Sequence, residues 1–213
     1  MEIQSKSLYL SKDEFFYSFK EQVKGITHNV FLESGRGGHY SIAAWDPFII
    51  VKSVEEGIHI TWQNGQTEVR NGESLALVEE LINEYKLEVD SSLPPFQGGA
   101  IGFISYDYAR KIEHLPQLAE DTLNVPDLYF YLFNEWAVHN VKTDEVTLMK
   151  LQQSVVDLTK WANEWEAAAT TGLHSRLFHA GKAVDVVNDE NELQISFSNE
   201  QFQQAVRRIQ EYI

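Results

Sequence analysis

The sequence predicts an α+β domain in which a mainly antiparallel β-sheet packs against several helices. Short runs of β-branched and aromatic residues alternate with glycine turns, which is the pattern of antiparallel hairpins. Capped segments with apolar residues three or four positions apart separate these runs and predict helices. Of the 213 residues, 43% are hydrophobic and 12% aromatic, which is enough to form a core and excludes a disordered chain.

Four segments carry helix signals. The first follows Ser11, which forms a capping box with Glu14, and it is expected to end at Gly25. A second helix is predicted from Glu73 to Tyr85, which has an apolar side of 3.6-residue period. The apolar stripes that predict the last two helices consist of Leu158, Trp161, Ala162 and Trp165, and of Phe202, Val206, Ile209 and Ile213.

The strand signals begin with a hairpin. Residues 28–32 and 40–45 are apolar and flank a glycine-rich turn, so they are expected to pair antiparallel. Asn64-Gly65 marks a second hairpin. Further strands are predicted at 48–51, 58–62, 127–133, 136–141 and 146–151, and the last three are expected to form a meander.

The stretch 96–107 is rich in glycine and apolar at the same time. Glycine weakens a strand because it contributes no side-chain contacts and loses more backbone entropy than other residues. We therefore expect another element or a ligand to lie close to the backbone there.

Three regions are predicted along the chain. Residues 1–170 are expected to form one domain, residues 171–195 a linker or irregular segment, and residues 196–213 the first helix of a further domain. The last helix begins with a capping signature at Ser198 and Gln201, and its apolar stripe continues to the final residue. We expect additional protein to pack against that stripe, which makes the chain a truncated piece of a longer polypeptide.

Composition excludes several classes of function. A net charge of −15 argues against nucleic acid and anionic membranes as partners, because both require clusters of Lys and Arg. The chain has no cysteine, so it forms no disulfides and performs no thiolate chemistry. No signal-peptide core or membrane span is recognisable, and a cytoplasmic location is expected.

The residues themselves suggest no catalytic or metal-binding group. The seven histidines are scattered without ligand spacing, so no metal site is predicted. The turn Gly35-Arg36-Gly37-Gly38 lacks the Lys-Ser/Thr and the helix of a phosphate loop, and is better explained as a tight hairpin turn. Ser105 does not stand in a nucleophile elbow. No residue is predicted to be catalytic.

One polar cluster stands out at the mouth of the first hairpin. Glu33, Ser34, Tyr40 and Ser41 could hold a zwitterion, with the carboxylate pairing with an ammonium group and the hydroxyls with a carboxylate. The alternative is that Glu33 only caps or pairs locally, as isolated acidic residues usually do.

Three motifs in order resemble a known family. FLESGRGGHYSIAAWDP at 31–47, PFQGGAIGFISYDYAR at 95–110 and PDLYFYLF at 126–133 resemble the N-terminal region of the chorismate-utilising aminotransferring synthases. This family comprises component I of aminodeoxychorismate (para-aminobenzoate) synthase and component I of anthranilate synthase. The segment FSNEQFQQAVRRIQEYI at 197–213 resembles the helix that opens the family's chorismate-binding domain.

The resemblance implies a fold and an activity. It implies a layered α/β sandwich to whose sheet the absent C-terminal domain would contribute. The parent enzyme would aminate chorismate with ammonia that a separate glutamine amidotransferase subunit supplies. Magnesium would be held by carboxylates of the C-terminal domain, so residues 1–213 would contain no cofactor and would be inactive by themselves.

The resemblance also implies a ligand site. The family's N-terminal region carries an L-tryptophan site, and by position Leu32, Glu33, Ser34, Tyr40 and Ser41 would line it, with Glu33 meeting the ammonium group. The short turn between Ser34 and Tyr40 favours the aminodeoxychorismate branch, which leads to folate. The anthranilate branch, in which tryptophan is a feedback inhibitor, is the alternative.

Two other classes of function remain open. The chain could be a stand-alone amino-acid-binding module, or a purely structural half-domain that covers a catalytic domain. The first predicts ligand binding by the isolated chain. The second predicts no binding and an exposed apolar surface that takes up a hydrophobic dye.

Overall fold

The computed structural model describes residues 2–113, 123–179 and 198–212. The strands of these described ranges are, in chain order, β1 (Ile3–Tyr9), β2 (Asn29–Leu32), β3 (Tyr40–Trp45), β4 (Ile49–Val54), β5 (Gly57–Trp62), β6 (Thr67–Asn71), β7 (Ala100–Ile104), β8 (Leu128–Leu132), β9 (Glu135–Asn140) and β10 (Glu145–Leu151). The helices are α1 (Lys12–Gln22), α2 (Ser74–Glu84), α3 (Ala109–Ile112), α4 (Leu158–His179) and α5 (Asn199–Tyr212). The chain divides into two compact units, Met1–Phe178 and His179–Ile213.

The strands of the first unit form two five-stranded sheets. The first sheet has the order β1-β10-β9-β3-β2, and the second has the order β6-β5-β4-β8-β7. Every neighbouring pair is antiparallel. The structure confirms the predicted α+β class and its mainly antiparallel sheets.

The first sheet is covered on both faces. On one face, helices α1 and α4 pack their aromatic residues Phe15, Phe19, Trp161 and Trp165 against strand residues that include Trp45. The opposite face carries a second core, whose strand residues are Ala44, Trp136, Val138, Met149 and Leu151. Leu93 and Phe96 from the connection before β7 pack against this second core, together with Ile101 and Tyr131 of the second sheet.

The second sheet is covered mainly on one face, where α2 packs. Val78 and Leu81 of this helix are buried against β-branched residues of β4 and β5, namely Ile49, Val51, Ile58 and Ile60. On the other face, Phe103 is 43% exposed and Tyr129 is half-buried. The Glu73 carboxylate caps α2 by accepting hydrogen bonds from the backbone N–H groups of Leu75 and Ala76.

One strand prediction is wrong in its pairing. The segment 127–133 was expected to begin a meander with the two strands that follow it, but β8 pairs with β4 and β7 in the second sheet. Only β9 and β10 form the expected hairpin. The physical reason is that Leu128 and Leu132 pack into the core under α2, so the chain changes sheets at Phe133 and Asn134.

Strand β1, an edge of the first sheet, has no counterpart among the sequence predictions, because its mostly exposed residues give only a weak alternation.

The close approach expected in the glycine-rich stretch occurs at Gly102. A Cβ atom there would lie 2.0 Å from the carbonyl oxygen of Tyr129. Neighbouring backbone therefore requires glycine at this position.

The helices begin where the capping signals indicate. The capping box of Ser11 and Glu14 is present at the start of α1. Helix α4 continues to His179, so the first part of the interval 171–195 is helical, and residues 180–195 lie outside the described part of the chain. On α5, Phe202 and Ile209 are 62% and 61% exposed, and Ile213 lies outside the described residues. None of the described helices combines the length and the apolar character needed to cross a bilayer.

Candidate functional site

The hairpin of β2 and β3 carries the predicted site. Its register pairs Asn29 with Trp45 and Leu32 with Ile42. The connecting residues 33–39 form a turn in which the N–H of Gly38 donates to the Gly35 carbonyl at 3.0 Å. Gly37 has φ of 77°, a left-handed conformation that favours glycine. The glycine-rich sequence is thus explained by the turn.

Glu33 lies at the surface. Its carboxylate is 2.7 Å from the Lys12 ammonium, and both side chains are more than half exposed. This local pair is the alternative that the sequence left open for Glu33. An ammonium ligand would have to replace Lys12, and that exchange is cheap because an exposed ion pair contributes little.

Ser34 and Ser41 are joined across the mouth of the hairpin. The backbone N–H of Ser34 donates to Oγ of Ser41 at 3.0 Å, and Ser41 is 1% exposed. Oγ of Ser34 is itself buried and has no hydrogen-bond partner among the described residues. A buried hydroxyl without a partner is energetically costly, and a ligand atom would remove that cost.

Tyr40 and Leu32 belong to the other face of the sheet. Successive strand residues point to opposite faces, so Tyr40 shares a face with Ile42 and with Leu32, which pairs with Ile42. Tyr40 is 37% exposed and Leu32 is 47% exposed. The structure therefore brings Ser34 and Ser41 together but places Tyr40 and Leu32 on the opposite side of β2 and β3.

His139 is a polar residue of this region that sequence reasoning did not single out. It is directly opposite Ser41 in the register of β3 and β9, and it is fully buried. Its ring stacks on Phe15 with the centroids 5.0 Å apart, and neither ring nitrogen has a hydrogen-bond partner in the described structure. No sequence signal distinguishes this histidine from others in apolar strands.

The charge state of His139 follows from its surroundings. Burial lowers its pKa below the ordinary value of 6.5, because an apolar environment disfavours the imidazolium. The Asp144 carboxylate, 3.6 Å from Nε2, opposes this shift but does not cancel it. His139 is therefore neutral at pH 7, with one ring nitrogen as a donor and the other as an acceptor.

The described residues do not fit a metal centre. Across 2–113, 123–179 and 198–212, no three His, Asp or Glu side chains come close enough to one another to hold an ion. The magnesium that the family resemblance implies has no donor set among these residues. The mouth of the hairpin offers hydroxyl and carboxylate groups, which suit a small polar or zwitterionic ligand.

Comparisons with known proteins give one family. A family model described as chorismate binding enzyme matches residues 28–213. Aminodeoxychorismate synthase component 1 from Bacillus subtilis (strain 168) is 32% identical over 98% of this chain and 44% of that protein. Anthranilate synthase component 1 from Acetivibrio thermocellus is 32% identical, but over 51% of this chain and 23% of that protein.

One solved structure is also similar. The crystal structure of anthranilate synthase component I from Streptococcus pneumoniae TIGR4 aligns with a TM-score of 0.48 and 25% identity, over 88% of this chain and 40% of that chain. The chain thus spans less than half the length of each of these relatives.

Proposed function

The chain belongs to the family of chorismate-binding enzymes, and from that premise we propose that it is the N-terminal part of an aminodeoxychorismate synthase component 1. The whole polypeptide would aminate chorismate to 4-amino-4-deoxychorismate, the precursor of para-aminobenzoate and folate. One observation carries this choice within the family. The similarity to the Bacillus subtilis aminodeoxychorismate synthase component runs over 98% of the chain, whereas the Acetivibrio thermocellus anthranilate synthase component matches 51%.

The proposal includes a second subunit and a metal. Both relatives are named as component 1, which supports a partner component, and we propose a glutamine amidotransferase that supplies ammonia. Magnesium, when bound, would neutralise charge on the carboxylates of chorismate. Its ligands would lie outside the described residues. We therefore expect residues 1–213 by themselves to leave chorismate unchanged.

For the hairpin we propose an L-tryptophan-type pocket. The buried, unpartnered Oγ of Ser34 supports it, because this atom can donate a hydrogen bond to a ligand carboxylate. Glu33 would exchange Lys12 for the ligand's ammonium group. Ser41 holds the backbone of Ser34 in place through the hydrogen bond across the mouth. Tyr40 and Leu32 lie on the opposite face of the hairpin, so they would not line this pocket.

Anthranilate synthase is the second candidate. Its support is the similarity to anthranilate synthase component 1 from Acetivibrio thermocellus, which reaches the same 32% identity over the part of the chain that it matches. In that case the hairpin pocket would be a feedback site.

Genetic complementation separates the two candidates. The polypeptide that carries this region is expressed in a bacterial strain that lacks aminodeoxychorismate synthase component 1, and in another that lacks anthranilate synthase component 1. We expect growth without para-aminobenzoate in the first strain and no growth without tryptophan in the second. The reverse pattern would reassign the chain to the anthranilate branch, and rescue of neither strain would contradict both.

The pocket is tested by calorimetric titration of L-tryptophan. We expect Ser34→Ala and Glu33→Gln each to weaken binding about tenfold, which corresponds to the loss of one charge-assisted hydrogen bond. Thr27→Val is the matched control, because it removes a hydroxyl group from an exposed residue before β2. Equal affinity of all three variants would contradict the pocket without touching the amination reaction.

A further inference from the structure

A polar cavity lies on the face of the first sheet that carries Tyr40, away from the mouth of the hairpin. Its volume is about 470 Å³, within the range of about 300–1,000 Å³ that is usual for small-molecule pockets. Strands β1, β3, β9 and β10 form the floor, and residues 91–94 of the connection before β7 form the roof. The residues that line the cavity therefore come from parts of the chain that are far apart in the sequence.

The floor carries hydroxyl groups and a single carboxylate. Ser5, Ser7 and Thr147 line it together with Asn140 and Glu145. The hydroxyls of Ser5 and Thr147 have no hydrogen-bond partner among the described residues. Ser5 is exposed to solvent, whereas Thr147 is only 6% exposed. Oε1 of Glu145 accepts a hydrogen bond from Ser7 at 2.9 Å, which holds the carboxylate in position. Its second oxygen remains available to a ligand.

The roof is ordered before any ligand arrives. Asp90 anchors it, because its carboxylate accepts hydrogen bonds from the backbone N–H and the hydroxyl of Ser92 at 2.8 and 2.7 Å. The side-chain amide of Gln97 bonds to both the N–H and the carbonyl of Asp90. These bonds lower the cost of ordering the loop on binding. Pro94 further restricts it.

The charged groups of the lining indicate which class of ligand the cavity can bind. Glu145 is the carboxylate among the described lining residues, and they include no Lys, Arg or His. Phosphates and free carboxylates are therefore disfavoured, since no cation would pair with them. The lining is also too polar for an indole side chain, which requires apolar walls. Glu145 favours an ammonium group, and the hydroxyls favour a ligand that has hydroxyl groups of its own.

We propose that this cavity is a binding site for a hydroxylated primary amine of about monosaccharide size, with Glu145 pairing with the ammonium group. Thr147, Ser5 and Asn140 bind the hydroxyl groups of the ligand, and the ring of Tyr40 closes the rim. This site is separate from the proposed amination of chorismate and from the proposed tryptophan pocket, which lies on the other face of the first sheet.

A matched pair of sugars tests the proposal. D-glucosamine and D-glucose differ at one substituent, which is an ammonium group in the first and a hydroxyl in the second. Calorimetric titration of the protein is expected to show glucosamine binding about tenfold more tightly than glucose. In Glu145→Gln, whose side chain still accepts from Ser7, the two affinities should become equal. Glu79→Gln, at an exposed position of α2, should keep the tenfold preference.

The place of binding is read independently by NMR. Glucosamine should shift the methyl resonances of Val138 and Thr147 in the cavity and leave those of Ile60 in the second sheet unchanged. Thr147→Val should weaken both sugars about threefold while thermal unfolding shows that the protein still folds. The proposal is overturned if glucosamine does not bind, if its preference survives Glu145→Gln, or if L-tryptophan shifts the same methyl resonances equally.

Discussion

The two sheets differ in how much of their surface is withdrawn from water. Strand β10 of the first sheet is buried without interruption from Val146 to Leu151, including Thr147 and Lys150. Strand β8 of the second sheet is fully buried only at Leu128 and Leu132. An antiparallel sheet usually keeps one face in contact with solvent, as the second sheet largely does. Polar side chains that are buried in the first sheet therefore need a hydrogen-bond partner from the protein or from a ligand. The candidate sites lie at such side chains.

The largest expected effect comes from opening the core of the first sheet. Trp136 is 0% exposed, and Trp136→Ala should lower the free energy of unfolding by about 3–5 kcal/mol, because it leaves a cavity and loses apolar burial. Tyr129→Ala on the half-exposed face of the second sheet should cost only about 1–2 kcal/mol. Urea unfolding measures both. Equal losses would remove the distinction between the sheets.

A buried lysine gives the next largest effect. The ammonium group of Lys150 donates to the carbonyls of Ser154 and Val156 at 3.0 and 2.6 Å, which fixes the loop before α4. Lys150→Met should destabilise the protein by about 2 kcal/mol, since both carbonyls lose a charged donor. Lys52→Met, at an exposed position of β4 in the second sheet, serves as the control and should stay within about 0.5 kcal/mol. A loss of similar size at Lys52 would contradict this account.

His139 should make the stability of the first sheet depend on pH. Its pKa is lowered in the folded protein, so the unfolded chain binds the proton more readily. The stability associated with neutral His139 is fully present above about pH 6.5 and is lost as the pH falls towards the pKa of the folded state. The slope is at most about 1.4 kcal/mol per pH unit for one proton.

Two variants test whether protonation of His139 causes this pH dependence. Unfolding curves measured between pH 8 and pH 5 should lose this slope in His139→Gln. Thr147→Val, a buried polar residue that does not titrate, should shift the curve without changing the slope. An unchanged slope in His139→Gln would show that other groups cause the acid destabilisation.

The smallest effect is expected at the exposed ion pair of Lys12 and Glu33. Both partners are more than half exposed, so Lys12→Met should change the free energy of unfolding by less than about 0.5 kcal/mol. If Glu33 meets a ligand ammonium group, the same variant should bind L-tryptophan at least as tightly as the unchanged protein. Weaker binding would mean that Lys12 itself contacts the ligand.

Local patterns predicted most of the fold. The capping box at Ser11 and the Asn64-Gly65 turn depend on neighbours in sequence, and both appear where expected. The close approach at Gly102 was also predictable, because glycine inside an apolar strand indicates neighbouring backbone. The transfer of β8 to the second sheet was not, since it depends on which distant helix covers Leu128 and Leu132.

The candidate site was less predictable for the same reason. The alternation of side chains along β3 places Tyr40 and Ser41 on opposite faces, so adjacent residues do not form one cluster. Glu145, which the structure places in the polar cavity, lies more than a hundred residues from Tyr40 in the sequence. Only the pairing of β3 with β9, and of β9 with β10, brings them into one lining.

The most direct test of the proposed function is the identity of the reaction product. The purified polypeptide that carries this region is incubated with chorismate, magnesium and ammonium, and the products are separated and identified by mass. We expect 4-amino-4-deoxychorismate, which retains the enolpyruvyl group, without release of pyruvate. Anthranilate with release of pyruvate, or chorismate left unchanged, would contradict it.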